Sequence, residues 1–483
     1  MSVSDFIFRF WQDITGWLAL FYSLLTIGTL CWVLHTKRET MSAIAWSLTV
    51  LMLPLIGACL FFVFGAQSIT RPLTRKQQKK SAYKKISGGV DEKPSADVPA
   101  RWDNLAKLGH HGDGFPVTGG NAVTLYHEGH RAFEAMLEAI QSARNHVHMQ
   151  FFIFRSDASG ERFIDALCDC VRRGVEVRFL YDSVGSYNLS SRLLRKLAQA
   201  GGRSAAFLPI LNPLYRFRVN LRNHRKILVV DGRVGFTGGL NIGDEYLGLD
   251  PRFGPWRDTH LRVEGEGVRG LQRVFLEDWH FATEEAVHGD RYSPTFDKSP
   301  GSALVQVVHS GPDGEYKAVR ETYFAGILNA RKRVWIASPY FVPDAGLKDA
   351  LVLAAWSGVD VRLLGLFRPD KWLPFLAARF YWTDILAAGV KVYQYTAGMM
   401  HSKFVLVDGE WASIGTANMD NRSLLLNFEV NYQLFDEALI AELEQHFHID
   451  LKSSIRVDAN VFSERPFISR LAENASRLLS PIL

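Results

Sequence analysis

The sequence predicts an α/β protein of two repeated halves, each an α-β-α layered unit, behind an N-terminal pair of membrane helices. Three observations carry this expectation. Two long uncharged stretches fill most of the first 70 residues. The rest of the chain repeats an order of strand, helix, glycine turn and strand at a separation of about 180 residues, too long for a solenoid. A polar pattern, H-x-K-x4-D-x6-G-x-x-N, falls at the same place in both copies of the repeat. With 483 residues the chain is too long for one ordinary core, and at 47% hydrophobic and 22% charged it is composed like a folded protein.

The membrane expectation comes first along the chain. Ile14 to Leu34 is 21 residues without a charge, about 31 Å as a helix, with Trp17 and Trp32 near its ends. The polar residues Lys37, Arg38 and Glu39 follow. A second uncharged stretch runs from Thr40 to Thr70, most apolar between Ala43 and Ala66 and interrupted by Pro54 and Gly57. It suits a kinked span or a re-entrant segment equally. The first stretch is too long for a signal peptide and lacks a small-residue cleavage site. Seven basic residues then precede any acid: Arg71, Arg75, Lys76, Lys79, Lys80, Lys84 and Lys85. The short loop between the stretches holds two, so the region after residue 70 is expected in the cytoplasm. The same cluster suits anionic headgroups, although orientation alone accounts for it.

The expected divisions are membrane segments over 1–70, a basic segment and linker over 71–118, a first half over 119–295, and a second half over 296–483 ending in a helix. Gly174-Val175-Glu176-Val177-Arg178-Phe179-Leu180 matches Gly358-Val359-Asp360-Val361-Arg362-Leu363-Leu364. Helices are predicted over Gly160 to Arg173 and Asp344 to Ser357, and strands over Met149 to Phe154 and Trp335 to Val342. The four cysteines, Cys31, Cys59, Cys168 and Cys170, read as reduced buried thiols because a lone C-x-C has no partner pair for zinc.

The repeated pattern carries the chemistry. Its first copy supplies His224, Lys226, Asp231 and, beyond a turn, Asn241. Its second supplies His401, Lys403, Asp408 and Asn418. Side chains two apart on a strand share a face, so each histidine and its lysine point the same way. Asp231-Gly232 and Asp408-Gly409 are strong hairpin turn signals, and each hairpin returns a glycine and an asparagine toward the histidine. A single such pattern arises by chance; two copies inside a wider repeat do not.

These residues resemble the phospholipase D superfamily. The runs Gly415-Thr416-Ala417-Asn418-Met419-Asp420-Asn421-Arg422-Ser423 and Asn427-Phe428-Glu429 are similar to bacterial cardiolipin synthases. So are Trp256-Arg257-Asp258-Thr259 and Ser338-Pro339-Tyr340-Phe341-Val342-Pro343. The resemblance implies phospholipase D-like halves that pack face to face, with both motifs in one active site. It implies transfer of a phosphatidyl group between two phosphatidylglycerol molecules through a phosphohistidine, giving cardiolipin and glycerol. Phospholipid substrates, a bacterial inner-membrane location and a cytoplasmic catalytic domain follow. Gly239 stands where many members have serine, and the position is expected to tolerate a small residue.

Phosphodiester transfer needs a nucleophile, an acid for the leaving oxygen and stabilisation of developing charge. Imidazole titrates near pH 6.5, so one neutral and one protonated histidine can share the first two roles. His224 is the expected nucleophile and His401 the acid/base, with the reverse open. Lys226, Lys403, Asn241 and Asn418 would hold the nonbridging oxygens. The resemblance offers Asp231, Asp408 and Glu429 as carboxylates that fix the histidine tautomers. No cofactor or metal is called for, since no H-E-x-x-H or carboxylate cluster with ligand spacing occurs. His110-His111 falls in the linker with no expected role. Arg216, Arg218, Arg222 and Arg225 suit lipid phosphates or a solvated basic face equally. Trp372 to Trp382 and the amphipathic stretch Phe467 to Leu479 suit a membrane interface, with ordinary core packing the plainer expectation.

The nearest rivals are a hydrolytic phospholipase D and a phosphatidyltransferase using phosphatidylethanolamine as donor. A superfamily nuclease needs no membrane segments, and a net charge of +5 does not by itself indicate a nucleic-acid partner. A non-catalytic membrane-organising protein is a third class. Oligomeric state is not written in the sequence.

Overall fold

A computed structural model describes residues 3–37, 40–65, 70–86, 96–112, 114–209, 221–314, 316–480 and 483. Arg38, Glu39, Arg216 and Arg218, singled out above, lie outside the described residues. The chain separates into two units, Met1–Arg75 and Lys76–Leu483.

In the first unit a single helix runs Val3–Thr36, and its part Ile14–Thr36 is long and apolar enough to cross a membrane. Trp17, Phe21, Leu24 and Ile27 point outward from it. The second stretch forms a helix Thr40–Met52, breaks at Leu53, and resumes at Pro54–Leu60. The break falls where proline must begin a helix rather than continue one. At about 1.5 Å per residue neither piece alone reaches the roughly 30 Å of a hydrocarbon core. Cys31 and Cys59 are exposed on these apolar helices, while Cys168 and Cys170 are buried as expected.

The second unit is organised by one 16-stranded sheet. Its first half orders the strands Arg203–Phe207, Glu176–Asp182, His146–Phe151, Ile227–Val230, Val234–Gly238, Trp256–Glu264 and Thr118–Glu128. The second half repeats this order with Lys391–Tyr395, Asp360–Leu366, Arg333–Ala337, Phe404–Val407, Trp411–Gly415, Glu429–Leu434 and Ala303–Ser310. In each half the first three strands are parallel and the rest antiparallel. The halves meet edge to edge, not as two stacked sheets: Thr118 pairs Val305 and Asn121 pairs Ala303 in antiparallel register. An edge strand in each half finds its partner in the other, which removes two exposed edges.

Helices cover both faces, as strand alternation shows. In His146–Phe151 the residues Val147, Met149 and Phe151 join the core formed with helices Gly129–Ser142 and Ala158–Arg172. The alternate residues face helix Val268–Thr283, where His146 and Gln150 bond Gln272 and Asp278. In the second half Val334 and Ile336 enter one core while Trp335 stacks on Phe447 of helix Glu437–Lys452.

The expected linker is partly built structure. Asp103–His110 is a helix, and Trp102 and Leu105 are buried in the core of the second half, with Trp102 stacked on Trp411. His111 lies edge-on to Tyr316 and takes no part in the site. The basic segment also differs from expectation. In helix Thr70–Ile86, Lys76 is buried against Asp278 at 2.9 Å, and Lys79 and Lys80 pair with Glu284 and Glu277. These three ammonium groups are committed to the protein rather than free for headgroups.

Both Asp-Gly hairpins are present. Asp231, Gly232, Asp408 and Gly409 all have positive φ, the mirror-image turn that matches strand twist. Each aspartate accepts three backbone N–H groups from the neighbouring strand: Asp231 from Arg144, Asn145 and His146, and Asp408 from Arg331, Lys332 and Arg333. Arg101 adds a bond to Asp408. Each carboxylate therefore stitches the motif hairpin to the parallel part of the sheet. Asp231→Ala and Asp408→Ala should each orphan these amides and lower the thermal midpoint by about 5 °C or more. Scanning fluorimetry in detergent checks this; an unchanged midpoint for both would contradict the anchoring role.

Candidate active site

Each motif histidine stands just before its strand, where the backbone hydrogen-bonds to the other half. The His224 amide donates to the carbonyl of Phe428 at 3.0 Å, and the His401 amide to the carbonyl of Arg257 at 2.7 Å. The residue after each of these carbonyls supplies a carboxylate to the same histidine. His224 Nδ1 lies 3.0 Å from Glu429, and His401 Nδ1 lies 2.7 Å from Asp258. Each imidazole is thus held, main chain and ring, by the opposite half. With Nδ1–H donating to the carboxylate, the free lone pair is on Nε2.

Asp231 and Asp408, expected beside the rings, are not there. Seven residues of largely extended chain, at roughly 3.3 Å each, separate them from the histidines, and their oxygens are bound to backbone amides. Asp258 does for His401 what Glu429 does for His224. The sequence signal for it was the Trp256-Arg257-Asp258-Thr259 run, read only as a family mark. Asp258 is supported by the amide of Thr259 at 2.8 Å, and Glu429 by the Thr416 hydroxyl at 2.5 Å and Asn427 at 3.2 Å.

The two halves differ in one instructive way. Thr416 follows Gly415 and bonds Glu429; the corresponding first-half residue is Gly239. A Cβ on Gly239 would sit 1.9 Å from Asp258 Oδ1. The shorter aspartate approaches the backbone where the longer glutamate leaves room for a hydroxyl. The expected tolerance of a small side chain at 239 therefore does not hold in this packing.

Lys226 and Lys403 are buried, and each sends its ammonium to the carbonyl of its own histidine, Lys226 at 2.8 Å. Lys403 Nζ also lies 2.8 Å from His401 Nδ1. Because that nitrogen carries its proton toward Asp258, the lysine's bond goes to the carbonyl. Burial pushes the Lys226 ammonium down to about 7 and that of Lys403 to about 8; Glu429 opposes the shift at Lys226, and Asp258 and Glu429 at Lys403. Burial likewise lowers both imidazoles to about 4, against the pull of Glu429 on His224 and of Asp258 on His401. Burial raises the two carboxylates, but Lys403 and His401 at Asp258, and His224 and Lys226 at Glu429, outweigh it and keep both ionised. Burial thus favours the neutral form of each ring, while its carboxylate favours the protonated form.

A cavity of about 280 Å³ opens onto His224. Arg222, Arg422, Lys371 and Asn418 line it. The buried Oδ1 of Asn418 has no protein partner, as expected of a group aimed at a ligand. Asn241 is more committed: its oxygen accepts from the Ile153 amide at 3.1 Å and its nitrogen donates to Tyr246 at 3.2 Å. Arg225 faces away, bonding Asp278 at 2.7 Å and the Glu429 carbonyl at 3.2 Å. It is buried and bonded to protein groups, not part of a solvated basic face. Asp278 also holds Asn223 at 2.9 Å, so one buried carboxylate braces both neighbours of His224.

Among the described residues one trio, His127, Glu442 and His446, brings possible metal-ligand atoms within 4.8 Å. Its two rings stack at 3.5 Å and 14°, so their in-plane lone pairs run parallel instead of converging, and the guanidinium of Arg257 lies beside them. The trio is a poor cation site and is separate from the paired histidines.

Comparisons with known proteins bear on the family and the fold. A family model described as "Cardiolipin synthase, PLD-like domain" matches residues 136–250 and 323–451. A second, "Phospholipase_D-nuclease N-terminal", matches 24–65. A cardiolipin synthase from Alkalihalophilus pseudofirmus is 40% identical over 97% of this chain and 94% of its own length. One from a Geobacillus species is 39% identical over 100% and 98%. The crystal structure of phosphatidylserine synthase from Haemophilus influenzae superposes with a TM-score of 0.57 at 14% identity, covering 75% of this chain and 95% of that one, which speaks to the fold.

If Asp258 orients His401, Asp258→Asn should cut turnover by about 10²-fold or more at a temperature where the variant remains folded. Gly239→Ser should also lose activity, by displacing Asp258. Rate and melting curves measured together check both; full activity in Asp258→Asn would remove the carboxylate from the site.

Proposed function

The chain belongs to the cardiolipin synthase family of phospholipase D-like enzymes, and from that premise we propose that it joins two phosphatidylglycerol molecules into cardiolipin with release of glycerol. The observation that carries the mechanism is the exchange of carboxylates, His224 with Glu429 and His401 with Asp258, which turns both Nε2 atoms free of protein bonds.

His224 Nε2 attacks phosphorus, and the bond to the headgroup glycerol breaks. The leaving oxygen takes a proton from His401. The hydroxyl of a second phosphatidylglycerol then attacks phosphorus, gives its proton to His401 and breaks the P–N bond. The cavity opening onto His224 supports this order of roles. His401 takes its proton from water as the lipid binds: Asp258 and the anionic phosphodiester beside the ring both favour imidazolium. Lys226 and Lys403 each retain N–H groups beyond the carbonyl bond for the nonbridging oxygens. Arg222, Arg422 and Lys371, against the carboxylate of Asp420, give the cavity a net positive lining suited to a second phosphate.

The halves are taken as 119–295 and 296–483, which the repeated strand order supports. The apolar helix over Ile14–Thr36 and the basic run from Arg71 support an inner-membrane protein with its catalytic unit on the cytoplasmic side.

Purified protein given phosphatidylglycerol alone should yield cardiolipin and glycerol, and His224→Ala should abolish both. Phosphatidic acid without cardiolipin would favour hydrolysis instead. With ³²P-labelled donor, quenched enzyme should carry label on the His224 peptide; label on His401 would reverse the roles. Loss of the lysine charges should set the alkaline limb. Both are charged below their values of about 7 and 8, so kcat/KM should fall as pH rises through that range. Lys403→Arg, where active, should move the limb upward; an unmoved limb would assign it elsewhere.

A further inference from the structure

The last helix of the chain, Phe467–Arg477, is inside out. Its protein-facing side is polar: Glu473 is 1% exposed and bonds Arg379 at 2.8 Å and Arg465 at 2.7 Å, with Ser476 buried one turn on. Its apolar side faces away, leaving Phe467 71%, Ile468 70% and Leu478 72% exposed, with Leu471 between them. A helix that packed for core stability would present the opposite side. The plain expectation of core packing thus fails for this segment. For Trp372–Ala387 it holds in part: Ala377, Ala378, Trp382, Ile385 and Leu386 are buried, but Trp372 at the first turn is 68% exposed.

Both helices end at the cavity. Lys371 and Pro374 line it from the first turn of Trp372–Ala387. Leu483, six residues beyond the inverted helix, lines it too. The chain there is fixed to the second motif: the Arg422 amide donates to the Leu483 carbonyl at 2.8 Å, and Asn421 to the Ser480 carbonyl at 3.2 Å. Exposed apolar side chains therefore sit on the elements that form the rim of the cavity lined by Arg222, Arg422 and Lys371. Arg470 and Arg477, both exposed, add positive charge to the inverted helix.

We propose that the outward face of Phe467–Leu479, with Trp372 and Leu373, docks the catalytic unit on an anionic phospholipid bilayer beside the cavity mouth. The inference rests on the lipid-transfer reading above. A diacyl lipid must place its headgroup among buried charges while its chains stay out of water, and an apolar rim continuous with the membrane provides that path. The arginines match anionic headgroups. A second copy of the chain, or residues 1–75, would cover the same apolar surface but would not connect it to acyl chains.

The test uses the full chain in phosphatidylglycerol–phosphatidylcholine vesicles, with Cys31→Ser and Cys59→Ser so that an environment-sensitive fluorophore reports only from Ile468→Cys. Quenching by lipids carrying a nitroxide on the acyl chain is expected. A label that is unquenched overturns the proposal, and its proximity to a label on another chain, or cross-linking to residues 1–75, would identify the occupant instead. The double variant Ile468→Asp/Leu471→Asp should lose at least about tenfold in turnover of vesicle lipid yet keep turnover of monomeric short-chain phosphatidylglycerol within about twofold. Unchanged vesicle turnover overturns the proposal as well. A wild-type chain that is quenched normally but forms no cardiolipin would overturn the catalytic reading and leave the docking surface standing.

Discussion

Everything at the site depends on an exchange between the halves. Each imidazole takes its main-chain bond and its carboxylate from the opposite half. Neither half supplies the carboxylate of its own histidine. A motif whose ring was held within one half would function wherever that half folded; here the ring is fixed only when the continuous sheet has formed through Thr118–Glu128 and Ala303–Ser310. Duplication thereby ties each copy of the motif to the other.

The same exchange resolves an electrostatic difficulty. Two ammonium groups and two carboxylates lie buried together, an arrangement that would be costly for any one of them unpaired. Lys226 and Lys403 answer Asp258 and Glu429, so the cluster is close to neutral before substrate adds its phosphate charge. Burial favours the neutral form of both ammonium groups and both rings, and the paired carboxylates oppose it. Around this cluster, Asp278 braces Asn223 and Arg225 on either side of His224 and is paired with Lys76 from the basic helix. Part of what reads as a topology signal is therefore structural charge.

The sequence by itself determined the repeat, the two motifs, the hairpin turns and the apolar first segment, because each is written locally. Period-two strands, Asp-Gly turns with positive φ and an uncharged run of membrane length need no distant partner to be recognised. It also paired His224 and Lys226 on one face, since strand geometry does so. The carboxylates were a different matter. Asp231 lies seven residues from His224 in sequence and Glu429 lies 205 away, yet it is Glu429 that holds the ring. Only the tertiary structure decided that, because a hydrogen bond made across a pseudo-symmetric pair of halves leaves no spacing in the chain. The inverted C-terminal helix has the same cause. Its amphipathic period is plain in the sequence, but which side meets the protein was decided by Arg379 and Arg465, which draw Glu473 inward and turn the apolar side out.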